Sequence, residues 1–139
     1  MKTGIYGGTF NPIHKGHIHI LREFIRRLGL QRVLLIPAGT PPHKQAPHLA
    51  SGPDRAAMCR LAAEDIPQAR VIVSEIELNR PGKSYTCDTI KELEALYPRD
   101  ELYFLMGEDM FLTVDKWYQP KEIFARAVLC ASPRSPQGL

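Results

Sequence analysis

Residues 4–17 read Gly4-Ile5-Tyr6-Gly7-Gly8-Thr9-Phe10-Asn11-Pro12-Ile13-His14-Lys15-Gly16-His17, and this stretch decides the fold. Gly4 to Tyr6 is a short β-rich run that passes through a glycine pair into a segment of helical spacing. There Ile18, Leu21, Ile25 and Leu28 share one side, while Arg22, Glu23, Arg26 and Arg27 fall mostly on the other. Gly29 offers the stop, so an amphipathic crossover helix follows the first strand. A strand that runs through glycines into a helix start makes an anion site. Glycine lets the backbone approach an oxyanion without a Cβ in the way, and the helix start adds an electropositive pole.

Outward from this junction, β-rich runs recur at Val33 to Ile36, Val71 to Val73, Leu102 to Met106 and Ala127 to Ala131, each apolar enough for burial on both faces. A second helix is predicted to start near Ser51 with Asp54 three residues on. It runs through Ala57, Met58, Leu61 and Ala62 and ends before Pro67. A third follows Thr86, a natural N-cap, with Asp88 in its first turn, Ile90, Leu93 and Leu96 three apart, and Pro98 at its end. Pro37 to Pro53, rich in proline, reads as a long loop. Strands alternating with helices predict an α/β fold: a Rossmann-like, doubly wound parallel sheet of about five strands. Ligands of such sheets sit beyond the carboxyl ends of the strands.

The 139 residues, 44% of them hydrophobic, suffice for one core, so a single domain over residues 1–139 is expected. Lys and Arg outnumber Asp and Glu by 18 to 15, too small a surplus for a nucleic-acid footprint but suited to a local phosphate site. Cys59, Cys87 and Cys130 are odd in number and far apart, which argues for reduced core thiols over a disulfide framework or a metal cluster. No run approaches the length needed to span a bilayer and no secretory signal opens the chain. The expectation is a cytoplasmic protein that binds neither nucleic acid nor membrane.

His14 and His17 stand three residues apart across the helix start, where both rings can face the same side and donate to a triphosphate. The alternative is that one histidine caps the helix and the other packs. No third ligand at suitable spacing supports a zinc site.

Gly8 to His17 resembles the signature of the nucleotidyltransferase superfamily, in which the two histidines of a His-x-x-Gly-His-like motif hold the ATP phosphates. The form with Gly7-Gly8 and Asn11-Pro12 is similar to the bacterial nicotinate-mononucleotide adenylyltransferases. The resemblance implies transfer of AMP from ATP to nicotinate mononucleotide, giving deamido-NAD and pyrophosphate in NAD biosynthesis, with Mg²⁺ entering on ATP and no protein metal ligand. It implies catalytic roles for His14 and His17. The ATP site it implies is Gly7, Gly8, Thr9, Phe10, His14, His17, Gly107 and Asp109. The mononucleotide site it implies is Thr9, Asn11, Lys44, Tyr85, Thr86 and Trp117.

Each of these assignments has a plainer reading. Lys44, in the loop Ile36 to Lys44, resembles the family's ligand for the mononucleotide phosphate, but a proline-stiffened loop can equally carry a solvated lysine. Tyr85 and Thr86 resemble the segment that recognises the nicotinate carboxylate, while a helix cap needs no ligand. Asp109, after Gly107, is read either as a ribose ligand or as a cap. Trp117, the single tryptophan, is read either as a stacking surface for the pyridine ring or as packing.

The family pattern continues past the fifth strand into a Ser-Thr-x-x-Arg signature and a C-terminal helical region. Ser132 to Leu139 contains no such motif, so the chain is expected to be C-terminally incomplete. A truncated inactive form and a non-catalytic nucleotide-binding module remain alternatives. So do related transferases that act on phosphopantetheine or nicotinamide mononucleotide or that make a CDP-alcohol. An NAD(P) oxidoreductase would require a Gly-x-Gly-x-x-Gly turn, which is absent.

Overall fold

β1 (Lys2–Gly8) occupies the centre of a five-stranded, all-parallel sheet of order β3-β2-β1-β4-β5. The other strands are β2 (Arg32–Pro37), β3 (Arg70–Val73), β4 (Glu101–Gly107) and β5 (Val128–Ser132). The structure, a computed structural model, describes residues 1–39 and 49–133. Helices α1 (Lys15–Leu28), α2 (Gly52–Ala63) and α3 (Thr86–Leu96) make the crossovers between the first four strands. Among the described residues, no helix is long and apolar enough to cross a membrane.

Two cores lie on the two faces of the sheet, as alternation along doubly covered strands requires. Tyr6, Leu35 and Leu105 point to the α1 and α2 side, where they meet Leu21, Phe24, Ile25 and Cys59. Ile5, Leu34, Ile36, Phe104 and Met106 point to the other, where they meet Cys87, Ile90 and Leu93 of α3. At the amino ends of the strands, Asp100 accepts from the Thr3 hydroxyl at 2.6 Å and from Arg32 Nη1 at 3.0 Å, tying the starts of β1 and β2 to the turn before β4.

Several expectations are corrected. The edge strands β3 and β5 are only partly covered, and Val128 is 53% exposed, because each has a neighbour on one side alone. In α2 the buried positions are Arg55, Ala56, Cys59 and Ala62, whereas Ala57 and Leu61 face solvent. The helix is turned so that an arginine lies inward. Leu96, at the last turn of α3, is exposed. Thr86 is the first residue of α3 rather than its N-cap; Tyr85 holds the cap position, and its side chain makes no capping bond. The chain between β4 and β5 also holds α4 (Glu108–Phe111), a 3-10 turn (Val114–Lys116) and α5 (Pro120–Arg126).

Ile90 is fully buried between α3 and the sheet. Its truncation to alanine removes apolar contacts and leaves a cavity, so Ile90→Ala should lose about 2–5 kcal/mol of unfolding free energy. Urea denaturation checks this, with the slope expected to match that of the wild type.

Candidate active site

The site begins where β1 ends. Gly7 and Gly8 are the last two residues of β1, paired with Ile36 and Pro37 of β2, rather than part of the turn that follows. A Cβ on Gly8 would meet the Phe10 ring at 3.0 Å, so this glycine makes room for an aromatic side chain. Phe10 turns back with φ 51°, an uncommon conformation for a non-glycine residue. Its ring is 3% exposed, tilted against Tyr6 at 5.7 Å and edge-on to His17 at 5.1 Å.

At the start of α1, His14 is the N-cap, and its Nδ1 accepts from the Gly16 amide at 3.1 Å. His17 Nδ1 accepts in return from the His14 amide at 3.0 Å. Two of the amides that a helix start leaves without intrahelical partners are thereby satisfied by two imidazoles. An imidazole nitrogen that accepts carries no proton, so in this cap each ring holds its N–H at Nε2. The rings stack at 3.8 Å, and a Cβ on Gly16 would lie 2.9 Å from the His14 ring. The capping and ligand readings of these histidines are therefore compatible: Nδ1 serves the helix, and Nε2–H remains a donor for an anion.

β4 lies beside β1, so its end brings Gly107 and Asp109 to the same sheet edge. Together with Ile20, Glu108, Met110, Ser132 and Pro133 they line a cavity of about 220 Å³. Ile20 lies one helical turn beyond His17 on α1. Ile20, Met110 and Pro133 were not singled out from the sequence, since they give only an apolar wall.

The segment after β3 meets the segment after β4 through Tyr85 and Tyr118, whose rings stack at 4.5 Å. Trp117, next to Tyr118, packs edge-on against Phe104 at 6.1 Å and donates from Nε1 to the Thr113 hydroxyl at 3.3 Å. The packing alternative thus describes part of what this indole does. Beneath Thr86, the Thr89 hydroxyl donates to Glu77 at 2.9 Å and accepts from Arg80 at 2.9 Å, anchoring the start of α3. Burial holds the Glu77 carboxyl above its ordinary pKa, against the opposing pull of Thr89, Arg80 and the Gly39 amide. Ser84 Oγ is buried without a hydrogen-bond partner among the described residues.

Asn11 Oδ1 accepts from the Ala50 amide at 2.9 Å, joining the turn after β1 to the entry of α2. Thr9 is exposed, and its carbonyl accepts from Arg55, a residue the sequence reading passed over. Lys44 lies outside the described residues.

Burial, and secondarily the facing His14 ring, hold the His17 pKa below its ordinary 6.5. The unfolded chain then takes up a proton before the folded one does. The contribution of His17 to stability is therefore complete above about pH 6.5 and is lost as the pH falls below it. In His17→Asn, Oδ1 replaces the Nδ1 acceptor but does not titrate. The drop in thermal midpoint between about pH 7.5 and about pH 5.5 should be smaller in this variant than in the wild type. An equal drop would show that the cap does not titrate.

The cytidylyltransferase-like family profile matches residues 5–137. A Geobacter sulfurreducens protein named "Probable nicotinate-nucleotide adenylyltransferase" is 46% identical over 134 residues, covering 96% of this chain and 61% of that protein. A Dehalococcoides mccartyi protein of the same name is 41% identical over 138 residues, covering 99% of this chain and 67% of that protein. The chain thus spans 61% to 67% of the length of these two curated relatives. Among solved structures, a Plasmodium falciparum nicotinic acid mononucleotide adenylyltransferase complexed with NaAD superposes with a TM-score of 0.82 at 18% identity. It covers 98% of this chain and 66% of that one, a likeness of fold. With a profile match over nearly its whole length and relatives above 40% identity, the chain belongs to the cytidylyltransferase-like family, beside the proteins named nicotinate-nucleotide adenylyltransferases.

Proposed function

We propose that this chain carries the site for adenylyl transfer from ATP to nicotinate mononucleotide. The observation that carries the reading is the reciprocal cap of His14 and His17, which presents two Nε2–H donors where β1 meets α1. The name shared by the relatives supports the choice of substrates.

In this reading a phosphate oxygen of the mononucleotide attacks the α-phosphorus of ATP. The bond from that phosphorus to the oxygen bridging to the β-phosphorus breaks, and pyrophosphate leaves with the electron pair. The nucleophile is already ionised near neutral pH, so no general base is needed. What remains is to align two anions and stabilise the charge that gathers on the leaving pyrophosphate. His14 and His17 donate to the ATP phosphates, and the amides at the start of α1 add the positive end of the helix. The cavity beside Gly107 and Asp109 takes the adenosine. Lys44 is assigned to the mononucleotide phosphate. Tyr85 and Thr86 are assigned to the nicotinate carboxylate, and Trp117 to the pyridine ring.

Among the described residues no group of three or more His, Cys, Asp and Glu side chains is placed to hold a metal. In this reading Mg²⁺ would enter on ATP, held by the triphosphate, and would neutralise phosphate charge. The reading implies the cytoplasm as the compartment.

Pyrophosphate release with ATP and nicotinate mononucleotide tests the assignment. His17→Asn keeps the cap acceptor and loses the Nε2 donor, so turnover should fall about 100-fold while the fold is retained. Unchanged turnover in that variant would sink the role of His17. A ligand-induced thermal shift without any turnover in the wild type would point to a nucleotide-binding module. Nicotinamide mononucleotide should react much more slowly than nicotinate mononucleotide, and equal rates would remove the assignment of Tyr85 and Thr86.

A further inference from the structure

Arg55, in the second turn of α2, is 2% exposed and is the one buried charged residue among those described. No described carboxylate pairs with it. Its Nε donates to the Ala50 carbonyl at 3.0 Å, and its Nη1 donates to the carbonyls of Thr9 at 3.0 Å and Ala38 at 2.7 Å. A guanidinium keeps its charge when buried, and burying a charge without a counter-charge is costly. An apolar side chain of similar volume would often serve packing as well or better, so packing alone gives no reason for an arginine at this position.

The three acceptors come from the turn after β1, the exit of β2 and the entry of α2. In a trans peptide the carbonyl and the following amide point in opposite directions. Drawing the Thr9 carbonyl inward therefore turns the Phe10 amide outward, and drawing the Ala38 carbonyl towards Arg55 turns the Gly39 amide away from it, to the Glu77 carboxyl. Phe10 is the positive-φ residue whose ring meets His17 edge-on, so the guanidinium fastens the turn that seats His17. Ala50 is gripped on both sides, its carbonyl by Arg55 and its amide by Asn11.

We infer that Arg55 is a positioning residue for the phosphate site: without touching substrate, its guanidinium fixes the Thr9–Phe10 peptide and the exit of β2 in the arrangement that aligns His17. This rests on the adenylyl-transfer reading of the site.

Arg55→Lys keeps the charge and loses the forked donor; Arg55→Gln keeps a donor and loses the charge. Both should remain folded by circular dichroism. Both should displace the ¹⁵N resonances of the Phe10 amide and the His17 ring in the ligand-free protein. In Arg55→Lys, kcat for pyrophosphate release should fall about 10-fold or more, in line with the cost of small misplacements. Unmoved resonances, or loss of fold in both variants, would overturn the inference in favour of a purely structural role. An inactive wild type would remove the adenylyl-transfer reading alone, since the resonance comparison needs no turnover.

Discussion

How the amides at the start of α1 are satisfied governs the rest of the site. Helix starts are commonly capped by Ser, Thr, Asp or Asn, whose short side chains spend their acceptor on the backbone. Imidazole has a second nitrogen on the far side of the ring. With Nδ1 of both His14 and His17 committed to backbone amides, tautomer and ring position are set before any ligand arrives. Gly16 is part of the same constraint, because a side chain there would displace the His14 ring. Phe10 closes the arrangement from the other side with its ring edge against His17.

The sheet order explains why this junction can be a site at all. β1 leads on to β2 on one side, and its other neighbour, β4, leads on to β5 on the opposite side, so the two connections leave the sheet edge in opposite directions and open a crevice between them. The cap stands at one lip of that crevice. Gly107 and Asp109, at the end of β4, stand at the other. Residues remote in sequence meet because parallel strands end at the same edge.

The central strands were legible in the sequence because burial on both faces leaves continuous apolar runs, as in Val33 to Ile36. The same signal overstated β3 and β5, where one neighbouring strand is missing and part of the surface stays wet. The inward face of α2 was not legible for a different reason. Arg55 is coded as polar, and only the carbonyls of Thr9, Ala38 and Ala50, two of them distant in sequence, make its burial tolerable. The pieces between β4 and β5 are too short to show a helical period, although Pro120 at the first turn of α5 marks a start. Asn11 shows a related limit: the family resemblance implied a ligand role, and its contact with the Ala50 amide was beyond local pattern.

The inward face of α2 also determines the chemical temper of its sulfur. Cys59 lies one turn after Arg55, is fully buried, and has its thiol pKa pushed up to about 11 by burial, against the pull of Arg55 and Arg60. Thiolate is the reactive form, and near neutral pH this site supplies almost none. Cys87 is buried on the opposite face of the sheet with its pKa also raised. The native protein is therefore poorly susceptible to alkylation and oxidation at both cysteines, and their reactivity becomes a built-in report of when each of its two cores has opened.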